Sequence, residues 1–117
     1  MYSLSTKTIN LIAECKAVYL EKHEKRIYNS ELIGRSVTTY ITLYKGKKIP
    51  INIDGTIKKE KMNKEKKKLY LFPLPPQATR GQIRYLKAIL MIEQQKKINV
   101  DEVLYITLYE YLKKLKQ

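Results

Sequence analysis

The chain has 117 residues, is 44% hydrophobic and carries a formal net charge of +13. That length holds one modest core and excludes two independent ones, while the hydrophobic share excludes a disordered polyelectrolyte. The one cysteine, Cys15, excludes an internal disulfide, and with the one histidine, His23, it makes no cluster of metal-site spacing, so neither metal nor cofactor is expected.

The first predicted element is an amphipathic helix opening after Ser5. Leu4, Thr8, Leu11, Cys15 and Val18 recur at spacings of three and four, and Ile12 and Tyr19 widen the stripe. Cys15 falls on the buried face. The helix is expected to end near Arg26, where basic residues suit the carbonyl end of the helix dipole. The opening residues lack a secretory pattern, and nowhere do eighteen uncharged apolar residues run together, so the sequence predicts a soluble, cytoplasmic protein with no membrane partner.

The period then changes. In "SVTTYITLY", Val37, Thr39, Ile41 and Leu43 alternate with Thr38, Tyr40, Thr42 and Tyr44, as in a half-buried strand rich in β-branched residues. "KGKK" supplies a turn, "IPINI" an edge strand bearing Pro50, and Asp54-Gly55 a hairpin leading into "TIKKEKM". After the loop "NKEKKK", the run "LYLFPL" reads as a last strand, stopped by Pro73, Pro75 and Pro76. The middle of the chain is thus predicted to be a small antiparallel meander.

Three capping-box spacings punctuate the last third: Thr79 with Gln82, Asn99 with Glu102, and Thr107 with Glu110. They predict three helices, over about Arg80–Lys97, over Val100 to about Ile106, and from Leu108 onward. Ile83, Leu86, Leu90, Leu108, Leu112 and Leu115 would face inward. The expected fold class is α+β: an N-terminal helix, a small antiparallel β-meander and a C-terminal three-helix segment. Residues 1–117 form a single domain, with 1–76 the helix plus meander and 77–117 the helical segment.

The residues Ala78, Thr79, Gln82, Ile83, Tyr85 and Leu86, followed by Leu104, Thr107, Glu110 and Leu115, resemble a small helical module of pattern A-T-x-x-Q-I-x-Y-L … L-T-x-x-E, appended to phage and bacterial proteins of DNA metabolism. The resemblance spans residues 78–116. Tyr111 stands where the module has a small residue, and Asn99 where a glycine would end the first helix. It implies a helical scaffold in a nucleic-acid context and transfers no catalytic residue. Residues 1–76 show no such likeness.

Charge is the strongest functional signal. Residues 45–68 carry ten lysines, Lys45, Lys47, Lys48, Lys58, Lys59, Lys61, Lys64, Lys66, Lys67 and Lys68, against Asp54, Glu60 and Glu65. A field concentrated this way attracts phosphate backbones, although lysine-rich loops also serve solubility alone. Arg80, Arg84 and Lys87 add a basic stripe at spacings of four and three that can hold a phosphate, or that can be the ordinary solvent side of an amphipathic helix. If residues 36–44 form a strand, Tyr40 and Tyr44 share the face opposite its apolar set, where two rings can stack on unpaired bases; equally, the helices can cover that face.

Catalytic signals are weak. His23 has no nucleophile partner, Asp101 and Glu102 are explained by capping and the helix dipole, and no glycine-rich phosphate loop occurs. No catalytic residue is assigned, and the chain is read as a non-enzyme. Its Lys, Ile and Tyr bias matches AT-rich genomes such as those of many viruses and plasmids. The sequence therefore predicts a nucleic-acid-binding accessory protein of a virus or mobile element, largely without sequence specificity, whose partner is DNA or RNA. Two rivals remain: a protein–protein adaptor or inhibitor of a host defence complex, and a small basic metal-independent ribonuclease.

Overall fold

A computed structural model describes residues 2–44 and 69–117. Strand β1 (Tyr2–Ser5) runs directly into helix α1 (Thr6–His23). Ser5 makes the transition: its hydroxyl accepts a hydrogen bond from the Thr8 N–H at 3.4 Å, satisfying one of the first-turn donors. The buried stripe is the one read from spacing, Thr8, Leu11, Ile12, Cys15 and Tyr19, with Val18 half-buried beside it. The helix stops at His23, three residues before Arg26, because Glu24 turns left-handed (φ 57°) and donates its N–H back to the Leu20 carbonyl at 2.8 Å.

Residues 29–44 are helical, and this corrects the predicted strand. Helix α2 (Asn29–Tyr44) buries Leu32, Ile33, Ser36, Val37 and Tyr40, a stripe of helical period that begins upstream of the alternating run. Its hydroxyls fit the helix by bonding back to carbonyls of the preceding turn, Ser36 to Ile33 and Thr42 to Thr38, both at 2.9 Å. Burial of this stripe outweighs the modest β preference of Val and Thr.

Strand β2 (Leu69–Phe72) forms where "LYLFPL" places it and ends at Pro73. Its partner differs from expectation. β2 pairs antiparallel with β1, in the register Tyr2↔Phe72, Ser3↔Leu71, Leu4↔Tyr70 and Ser5↔Leu69. Among the described residues the sheet has these two strands; the predicted strands on either side of Asp54-Gly55 lie outside the described residues.

Helix α3 (Gln77–Gln94) starts after Pro76, whose φ of −54° suits a helix entrance and whose carbonyl accepts from the Arg80 N–H at 3.0 Å. Thr79 therefore lies inside the first turn, buried, and its predicted capping box with Gln82 does not form. Ile83, Leu86 and Leu90 face inward as expected, and the helix closes at Gln94 before a left-handed Gln95 (φ 52°).

Helix α4 (Val100–Leu115) is capped as predicted, the Asn99 side chain accepting from the Glu102 N–H at 2.9 Å. It then runs on without the predicted break at Thr107, whose hydroxyl donates to the Leu104 carbonyl at 3.1 Å and stays within the helix. Two predicted helices are one. Residues 101–108 are buried all round, the mark of a central helix, and α1, α2, α3 and β1 all pack on it. A buried hydrogen bond of 2.8 Å from the Ser5 N–H to Asp101 Oδ1 ties β1 to its first turn. The molecule is thus α+β, with four described helices and a small antiparallel sheet. Among the described residues no helix is long and apolar enough to cross a membrane.

Candidate nucleic-acid interface

Two helix N-termini and the start of β1 meet at one cleft. The register Tyr2↔Phe72 sets Tyr2 beside the end of β2, and the prolines that follow carry the chain over Leu74 into the first turn of α3. Arg80 lies in that turn, and Arg84 and Lys87 stand one and two turns further along the same face at i+4 and i+7, while Ile83 between them is buried. With Tyr2, Leu74 and Val100, the first residue of α4, they line a cleft of about 420 Å³.

The cleft is cationic without internal compensation. Its described lining contains three cations and no carboxylate. Among the described residues, the ion pairs join Arg35 to Glu31, Lys113 to Glu110 and Lys116 to Glu14, and none involves the three cleft cations. Arg80 Nε is buried with no hydrogen-bond partner among the described residues. Burial pushes the Tyr2 hydroxyl above its ordinary pKa of 10.0, with Arg80 and Arg84 opposing the shift, so at neutral pH it remains a neutral donor. Asp101 and Glu102 follow Val100 in α4 but do not line the cleft, and Asp101 Oδ1 is engaged by the Ser5 N–H.

A second basic cleft, of about 490 Å³, lies where α1 and α4 end, with Lys22, His23, Arg35, Tyr111 and Lys114 in its wall. Here cations are already engaged. Lys22 Nζ donates to the Leu115 and Gln117 carbonyls at 3.1 and 3.3 Å. Arg35 Nε donates to Glu31 at 3.2 Å, and its guanidinium lies 5.8 Å from the centre of the Tyr19 ring. Burial raises the pKa of the Tyr111 hydroxyl, and the nearby Arg35 charge opposes the rise.

The other sequence candidates fall elsewhere. The ten lysines from Lys45 to Lys68 lie outside the described residues. Tyr40 is 1% exposed in the core and offers no face to a base; the sheet face it was to share with Tyr44 does not exist, because both belong to α2, which Tyr44 ends. His23 is exposed at the end of α1, its ring tilted against Tyr19 at 4.4 Å. Cys15 is fully buried, its Sγ 3.6 Å from the Leu108 carbonyl oxygen, and its pKa is pushed up to about 12 chiefly by burial, which makes it an unreactive thiol. Among the described residues no group of His, Cys, Asp and Glu could hold a metal ion.

Tyr2 is the residue the sequence did not single out; the only local signal was Tyr2 alternating with Leu4 just ahead of the Ser5 cap. No protein-family model, curated protein or solved structure matches this chain significantly.

Proposed function

We propose that the protein binds nucleic acid through its phosphate backbone, largely without sequence specificity, as an accessory factor and not as a catalyst. The observation that carries this reading is the buried Arg80 Nε, which has no hydrogen-bond partner among the described residues, in a cleft shared with Arg84, Lys87 and the Tyr2 hydroxyl. A buried polar group without a partner costs about 1–3 kcal/mol, and more when charged. A phosphate oxygen would supply the missing acceptor. The helix N-termini beside it carry partial positive charge, which favours the same anion. The lysines of residues 45–68 would add backbone affinity to whatever the cleft holds.

The test is equilibrium binding of mixed-sequence oligonucleotides across about 50–200 mM salt. Log affinity should fall linearly with log salt, at about 0.9 per phosphate contact on duplex DNA or about 0.7 on single strands. Affinity should change little between scrambled sequences. Absence of binding at the lowest salt would overturn the proposal.

A further inference from the structure

We infer that Tyr109, held against Tyr105 on the flank of α4, is a platform on which an unpaired nucleobase stacks, so that single strands are the preferred ligand. This rests on the nucleic-acid reading above and names the substrate class within it. Tyr105 and Tyr109, one turn apart, stack with ring centroids 6.1 Å apart and an interplanar angle of 25°. The inner ring is 7% exposed and so fixed by the core, whereas Tyr109 is 37% exposed.

A lone exposed tyrosine on a helix is unremarkable. Here the outer ring has an aromatic backing, and each ring of the pair has a cation over it: Lys7 Nζ lies 5.5 Å from the Tyr105 centroid and Lys113 Nζ 5.0 Å from that of Tyr109. Non-sequence-specific single-strand binders combine these same two elements, an aromatic face for the base and nearby ammonium groups for the backbone.

The Lys113 contact does not block the platform. A solvent-exposed cation–π contact is weaker than base-on-aromatic stacking, and among the described residues the Lys113 ammonium is otherwise held by a loose ion pair to Glu110 at 3.7 Å. An arriving base would displace the ammonium from the ring and leave it beside the adjoining phosphate. Val100 at the cleft and Tyr109 are nine residues apart on α4, a rise of about 14 Å and a net rotation of about half a turn, so the platform is a contact separate from the cleft. Duplex bases, stacked inside the helix, cannot use such a face.

The experiment compares a single-stranded oligothymidylate with a duplex of equal length, using the full chain, Tyr109→Ala, Tyr109→Leu and Tyr109→Phe. Leucine keeps apolar bulk on the helix and removes only the aromatic face, so it guards against a folding defect in the alanine variant. Loss of one stacked base should weaken single-strand binding about 5- to 150-fold in both variants, leave duplex binding unchanged, and be restored by phenylalanine. Wild-type single-strand affinity in Tyr109→Leu would overturn the platform; if Arg80→Gln/Arg84→Gln/Lys87→Gln still weakened binding, the backbone reading would stand without it. Failure of every form to bind either oligonucleotide would overturn both.

Discussion

The two basic clefts hold similar side chains in opposite helical fields. Arg80, Arg84 and Lys87 run along the first three turns of α3 beside Tyr2 and the start of α4; Lys22, His23, Lys114 and Tyr111 gather where α1 and α4 end, with Arg35 of α2 facing them. At helix C-termini the exposed carbonyls carry partial negative charge, so cations there complete the fold. The Lys22 ammonium does this directly, bonded to the Leu115 and Gln117 carbonyls. At helix N-termini the partial charge is already positive, and added cations raise the field. Nothing in the described lining of that cleft neutralises it. A count of lysines and arginines would rank the clefts equal, at three each, while the direction of the helices separates a structural cluster from a candidate anion site.

Substitution should expose this difference most strongly in binding. Changing Arg80, Arg84 and Lys87 together to glutamine is expected to lower nucleic-acid affinity and reduce the salt slope by up to three contacts, about 2–3 in log–log terms, with little change in melting temperature. The same treatment of Lys22, Arg35 and Lys114 should do the reverse. Equal loss of affinity from both sets, measured by fluorescence anisotropy over a salt series, would erase the distinction.

Arg35→Met should give the next largest effect, and on stability alone. It removes an exposed ion pair and a cation–π contact, together about 1–2 kcal/mol, read as a lowered denaturation midpoint at unchanged slope. Lys22→Met, which takes a cation from the carbonyl end of α4, should cost less, about 0.5–1 kcal/mol. Either variant binding nucleic acid appreciably more weakly than the parent would bring the C-terminal cleft into the interface.

The smallest difference is expected at alkaline pH, where both clefts should behave alike. Burial raises the pKa of Tyr2 in one and of Tyr111 in the other above 10.0, and that of Cys15, beneath the α1–α4 contact, from 9.0 to about 12. Above the ordinary values the unfolded chain releases these protons while the folded chain holds them, so stability is full below pH 9 and falls as pH rises toward 12. Thermal melts from pH 7 to 11 check this. Cys15→Ala should flatten the portion between pH 9 and 10.

Much of this architecture was legible because it is local. The α1 stripe, the inward residues of α3, the Asn99 cap and the stop at Pro73 each depend on residues within one or two turns. Arg80, Arg84 and Lys87 could be grouped for the same reason, since i, i+4 and i+7 share a helix face in any context. The strand assigned to residues 36–44 failed because nine residues, five of them Val, Thr or Ile, satisfy a period of two while concealing the helical stripe that starts at Leu32. Thr107 misled differently: the spacing of a capping box also occurs inside helices, where the hydroxyl simply bonds backward. Tyr2 reaches the cleft only through a strand pairing that joins residues 2 and 72, and no local pattern encodes such a distance.

The short hydrogen bond between the Ser5 N–H and Asp101 Oδ1 also fixes a constraint in time. Ser5 at once ends β1, caps α1 and anchors α4, so the first helix acquires its principal partner only after residue 101 has been synthesised. Until then the apolar stripe of α1 lacks the surface that buries it, and an isolated helix of that length is marginal in water. Folding is therefore expected to be completed late, by docking of β1 and α1 on α4, with the slow search that contacts of high sequence separation impose.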